Sequence, residues 1–137
     1  MTAEDTVAGL RLVLSGLAPR HPRIRFIVPH LGGAIPFLWE RIEHQLERAR
    51  ERGVVTLPRG AAHAGLRRLF YDTVNGSAAA LRCACNTLGH ERLVFGTDHP
   101  VIDLGSSIAY VAGAGLDPGV GAGILDRNAG RLLGLAP

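Results

Sequence analysis

The chain has 137 residues, 15 basic against 12 acidic, a formal charge of +3 and a mean hydropathy of +0.16. That length suits one domain with a real core and excludes two comfortable ones, while no apolar run approaches the ~20 residues of a membrane span. The excess positive charge does not point to nucleic acid: every basic residue is Arg, interleaved with Glu as in Glu40-Arg41 and Glu47-Arg48, which reads as solvated helix faces, and an aromatic content of 5% is poor for base stacking.

In chain order, the opening Met1-Thr2-Ala3-Glu4-Asp5 is acidic and lacks the basic start of a secretory signal, so a cytoplasmic chain is expected. Residues 3–17 place Val7, Leu10, Leu14 and Leu17 at helical spacing, with Thr2 as N-cap and Glu4 and Asp5 favouring the first-turn dipole. Residues 18–22 break the helix with two prolines, and the β-branched and aromatic run over 23–28 reads as a buried strand. A second helix is expected over 36–52, with Ile35, Leu38, Trp39, Ile42 and Leu46 on one side, then a loop over 53–60. Residues 66–73 read as a second strand and 77–88 as a helix ending at Gly89. Cys83 and Cys85 in that helix point in different directions and are badly placed to pair, as in a reduced chain. Residues 93–97 make the third strand, 106–114 a Gly-broken helix, Asp117-Pro118 an N-cap followed by proline, and 124–133 a closing helix. Strands alternating with helices of this length imply a parallel α/β sheet, and three such strands, each buried on both faces, are a slice of a larger sheet or barrel.

Two of the three runs deliver a reactive side chain at the C-terminal end, where parallel α/β folds do their chemistry. His30 follows the first, in Val28-Pro29-His30-Leu31-Gly32-Gly33, and Asp98 follows the third, in Phe95-Gly96-Thr97-Asp98-His99-Pro100. Histidine is the side chain suited to proton transfer near neutral pH, and a carboxylate can ligate a divalent ion or act as a base. Each has a plainer reading: a satisfied histidine capping a strand end, and an N-cap or turn Asp before proline. Arg41, flanked by Glu40 and Glu43, reads from its neighbours as a cation on a solvated helix face. Asp72, at the end of the second strand, reads as a loop organiser, and His21, His44, His63 and His90 read as surface residues. The sequence has no Gly-x-Ser-x-Gly elbow, and its glycine-rich stretches lack the strand and Lys-Ser/Thr ending of a phosphate loop.

Taken together, His30-Leu31-Gly32-Gly33-Ala34-Ile35-Pro36-Phe37 with Arg41-Ile42, Phe70-Tyr71-Asp72-Thr73, Phe95-Gly96-Thr97-Asp98-His99-Pro100 and Asn128-Ala129-Gly130-Arg131-Leu132-Leu133-Gly134-Leu135 resemble the C-terminal part of the amidohydrolase-related metal-dependent family. The similarity is to its decarboxylase branch, that of 2-amino-3-carboxymuconate-6-semialdehyde decarboxylase and the hydroxybenzoate decarboxylases. The resemblance implies that residues 1–137 form a single partial (β/α)₈ TIM-like barrel domain, its strands being the sixth to eighth. It implies His30 as acid/base, Asp98 as metal ligand and catalytic carboxylate, Arg41 as a substrate-carboxylate partner reaching a neighbouring subunit, and a divalent metal, usually zinc. The family's other ligands, a His-x-His pair and a further histidine, belong to earlier strands; no two histidines here are separated by one residue. The implied function is hydrolysis or decarboxylation of a small carboxylated or aromatic substrate by the full barrel, as a homo-oligomer or with a complementing N-terminal half. The alternative is a catalytically inactive truncated or split-gene half-barrel that associates with another chain. Neither reading involves nucleic acid or membrane.

Overall fold

Three short parallel strands, β1 (Ile27–Val28), β2 (Phe70–Asp72) and β3 (Leu93–Val94), form one sheet in chain order in the computed structural model, which describes residues 2–135. Ile27 pairs with Phe70, Val28 and Leu93 with Tyr71, and Val94 with Asp72. Alternation then sorts the side chains: Val28, Tyr71 and Leu93 share one face and are buried beneath helices, whereas Ile27, Phe70, Asp72 and Val94 share the other. The expectation of strands buried on both faces fails here, because Ile27 is 51% exposed. That second face is partly open, as the inner wall of an unclosed sheet would be.

Helices cover the closed face. They are α1 (Thr2–Leu14), α2 (Leu17–Arg20), α3 (Ile35–Glu51), α4 (Ala61–Leu66), α5 (Ala78–Ala84), α6 (Leu104–Ala112), α7 (Pro118–Ala122) and α8 (Asn128–Leu133). Wide five-residue turns prolong α5 over Cys85–Gly89 and join α7 to α8 over Gly123–Arg127. Side-chain caps start three helices: Ser77 accepts from the Ala80 N–H, Asp103 from Ser106 and Asp117 from Gly119, each satisfying a donor with no partner inside the helix. Ile35, Trp39 and Leu46 of α3 enter the core on the expected face. Among the described residues, no helix is long and apolar enough to cross a membrane.

Several sequence expectations are corrected. Thr2 lies inside α1 rather than capping it. Helix α1 buries Gly9 and Val13, while Val7 and Leu14 stay 48% and 40% exposed. The reason is close approach: a Cβ at Gly9 would stand 2.8 Å from the Ile35 side chain, so the helix meets the core through Gly9 and Val13, with Leu10 and Leu12 packed at the margin. The second strand begins at Phe70, because residues 61–66 form α4, a small-residue helix whose last member, Leu66, accepts a 2.8 Å hydrogen bond from the buried Tyr71 hydroxyl. Burial pushes the Tyr71 phenol up. The ladder of β3 stops at Val94, where Phe95 N–H turns to the Ile124 carbonyl; beyond it the Thr73 hydroxyl bridges to the backbone of Gly96.

Asn128 fastens the last helix to the sheet. Its buried amide donates to the carbonyls of His90 at 2.8 Å and Leu93 at 2.7 Å, and its oxygen accepts from Arg131 at 2.8 Å. Truncation would strand buried acceptors, so Asn128→Ala is expected to lower the unfolding free energy by about 2–3 kcal/mol. Urea denaturation checks this, and a wild-type midpoint would refute it.

Candidate functional site at the strand exits

The chain leaves β1 through an uncommon backbone. His30, Leu31, Gly32 and Gly33 all have positive φ, at 54°, 57°, 78° and 63°, a region that costs a non-glycine residue about 1–2 kcal/mol. Specific partners hold it there. The His30 N–H donates to Asp72 Oδ1 at 2.8 Å, and the same oxygen accepts from Val74 N–H at 3.1 Å. The Ala34 N–H donates to the Thr6 hydroxyl at 2.8 Å, and that hydroxyl donates to the Thr2 carbonyl at 2.7 Å. A Cβ on Gly33 would collide with that carbonyl and hydroxyl, so the first turn of α1 sits directly on the loop.

The imidazole is fixed from the same helix: His30 Nδ1 lies 2.9 Å from Asp5 Oδ2, with both side chains mostly shielded, at 22% and 17% exposure. An ionised carboxylate can only accept, so this contact places a proton on Nδ1, and in the neutral ring it is Nε2 that carries the lone pair. A carboxylate orienting one ring nitrogen while the other works is a recurrent arrangement at acid/base and metal sites. Burial raises the Asp72 carboxyl above its ordinary value, opposed by the N–H donors of Val74 and His30 and by the charge of His30.

Asp98 also sits in the left-handed region, at φ 58°, and is exposed. Its carbonyl accepts from Val101 N–H at 2.8 Å, but its carboxylate has no hydrogen-bond partner among the described residues; α6 is capped by Asp103 instead. The side-chain capping role is thereby removed, and Asp98 remains a turn residue with an uncommitted carboxylate. His99 is exposed beside it, its N–H donating to the Thr97 hydroxyl, and the His99–Pro100 peptide is cis.

Parallel strands emit both residues at one edge, with β2 between them; three adjacent strands place the outer two roughly 10 Å apart. The structure therefore joins His30 to Asp72 and Asp5, and sets Asp98 on the same edge without a bond to His30 among the described residues. Arg41 lies exposed on α3 with no ion pair among the described residues; Glu47, one helical stretch on, takes Arg50 and Arg59. His21, His44 and His90 are exposed as expected. His63 is not: it is partly buried, with its ring 5.1 Å from Trp39 and Nε2 3.3 Å from the Thr87 carbonyl. Both cysteines are free.

Asp98 offers an oxygen donor without competition and His30 one free ring nitrogen. No group of three or more His, Cys, Asp or Glu side chains converges among the described residues, so they do not make a metal site by themselves.

The amidohydrolase family model matches residues 1–135. The chain belongs to the amidohydrolase family. It is similar to gamma-resorcylate decarboxylase from Rhizobium sp. (strain MTP-10005), 33% identical over 103 residues that make up 71% of this chain and 30% of that protein. It is also similar to 2-keto-4-carboxy-3-hexenedioate hydratase from Sphingobium sp. (strain NBRC 103272 / SYK-6), 26% identical over 96 residues, 70% of this chain and 26% of that one. Among solved structures, 5-carboxyvanillate decarboxylase LigW from Sphingomonas paucimobilis superposes with a TM-score of 0.80 at 28% identity, over 93% of this chain and 38% of that one. The chain thus spans less than a third of these two curated relatives.

Asp5 and Thr6 are the site-shaping residues that the sequence reading passed over. Asp5 carried a local signal, an acid in a first helical turn, but nothing local ties it to position 30.

The raised Asp72 pKa fixes a sign. A carboxyl whose folded pKa exceeds its unfolded one contributes stability at low pH that is lost as pH rises through the folded value. Asp72→Asn keeps an oxygen for the His30 and Val74 donors and removes the charge. Between pH 3.5 and pH 6, on the order of the carboxylate range, its urea midpoint is expected to climb relative to wild type. A constant difference across that range would contradict the account.

Proposed function

We propose that the chain is the part of a (β/α)₈ barrel enzyme carrying the sixth to eighth strands, and that the barrel hydrolyses or decarboxylates a small carboxylated or aromatic substrate. The observation that carries this reading is the Asp5-held imidazole of His30, with Nε2 free, at the same sheet edge as the uncommitted carboxylate of Asp98. Family membership supports it, as do relatives named as decarboxylases and a hydratase of carboxylated compounds.

In this reading His30 Nε2 takes a proton and returns it to the reacting carbon or leaving group, Asp5 holds the ring, and Asp72 holds the backbone that presents it. Asp98 is one ligand of a divalent cation, zinc being the ion the resemblance favours, and that cation would act as Lewis acid. The remaining ligands come from strands outside this chain. Arg41, exposed on α3 and without an ion pair among the described residues, would pair with a substrate carboxylate in a neighbouring copy, by the forked geometry guanidinium groups favour.

A second reading, a non-catalytic half-barrel that associates with another chain, draws on one observation: β1 is an edge strand paired only with β2 among the described residues, with Ile27 51% exposed on the open face, and such an edge invites pairing. Both readings expect self-association or capture of a complementing N-terminal half.

The test compares this chain alone with the chain co-expressed with the N-terminal part of Rhizobium gamma-resorcylate decarboxylase, following bound zinc and manganese by elemental analysis and CO₂ release from hydroxybenzoates. The chain alone is expected to hold no stoichiometric metal. The pair should gain metal and turnover; His30→Gln should then lower kcat by about 10²-fold or more with metal retained, while Asp98→Asn should lose the metal. A metal-loaded, inactive pair supports the second reading, and unchanged kcat in His30→Gln would overturn the first.

A further inference from the structure

The opposite end of the sheet, where the strands begin, has a different chemistry. A cavity of about 450 Å³ opens there between the starts of all three strands and the end of α8, lined among others by Arg25, Arg68, Arg92, Arg131, Phe70 and Glu91. Its volume falls within the range of small-ligand sites. Four arginines and one glutamate are among its lining residues, so positive charge predominates there. Glu91 in turn leans toward Arg67, 3.7 Å away, which is not part of the lining. None of the four lining arginines has an ion pair among the described residues.

Arg92 is the centre of this arrangement. Its guanidinium carbon lies 5.2 Å from the centroid of the Phe70 ring, a stacking contact that fixes the plane of the fork. Its Nε is buried and has no hydrogen-bond partner among the described residues. Arg131 is held from behind, its Nη2 donating to Asn128 Oδ1 at 2.8 Å. Arg92 and Arg131, each held by a protein contact, and Arg25 and Arg68 at the exposed rim give the cavity an oxyanion-binding lining, because guanidinium forks bind phosphate and carboxylate oxygens in pairs.

We propose that this cavity binds a small multivalent oxyanion of the diphosphate class. The site stands at the far end of the strands from His30 and Asp98 and does not depend on their role. Isothermal titration of the full chain with pyrophosphate, at ionic strength held constant with sodium chloride, is expected to show saturable one-to-one binding. Arg92→Met and the rim variant Arg25→Met should each weaken it by about tenfold or more, while Arg48→Met, exposed on α3 and outside the cavity, should leave it within about twofold; circular dichroism reports whether each variant is folded. Absence of saturable heat at millimolar pyrophosphate overturns the proposal. So does an equal response to chloride alone, or wild-type affinity in a folded Arg25→Met or Arg92→Met protein. Should Arg92→Met fail to fold, the exposed Arg25 position decides the matter.

Discussion

A single carboxylate oxygen organises the reactive edge of this protein. Asp72 Oδ1 accepts from His30 N–H, at the exit of β1, and from Val74 N–H, just past the exit of β2, so one atom locks two neighbouring crossovers to each other. Only with that lock does the backbone over His30–Gly33 settle into its left-handed course, and only on that course does the imidazole meet Asp5. The same oxygen is buried enough to resist ionisation. Removing its two donors would therefore leave both an unmet acceptor and a released loop, two costs arising from one place.

The sheet built on this lock has two dissimilar ends and two dissimilar faces. The exits carry His30, Asp72 and Asp98; the entrances carry a cluster of arginines. One face is sealed by helices over Val28, Tyr71 and Leu93, while the other leaves Ile27 half in solvent. A parallel sheet ordinarily has both faces covered, so the open face agrees with a chain that covers 38% of a solved relative of the same fold. The strand alternation explains why the helix-facing residues are so thoroughly apolar.

Much of this was legible in the residues. The three β runs, the apolar stripe of α3, the Asp117-Pro118 start and the two exit residues all carry short-range signals, a period of two or of 3.6 or a turn with fixed chemistry. What escaped depends on partners distant in sequence. Val7 and Leu14 have the right spacing for burial on α1, yet Gly9 permits the closer helix approach and rotates the buried face away from them. Helix α4 is mostly alanine and glycine, with no stripe to read. His63 looks like a surface residue until Trp39 is brought against it. The Asp5–His30 contact joins residues 25 apart, and no local pattern encodes it. The strand ends were overdrawn because apolar β-type residues continue past the ladder, as at Phe95, which bonds to the Ile124 carbonyl.

The left-handed turn at the exit of β1 also sets thermostability engineering against the role proposed for His30. Glycine enters that backbone basin freely, whereas His30 and Leu31 do not, so an optimiser rewarded for melting temperature alone would favour glycine at position 30. The gain would erase the imidazole. A consensus or automated redesign of this chain should hold position 30 constant and seek its improvements on the exposed helical surface, where nothing is balanced against conformational ease.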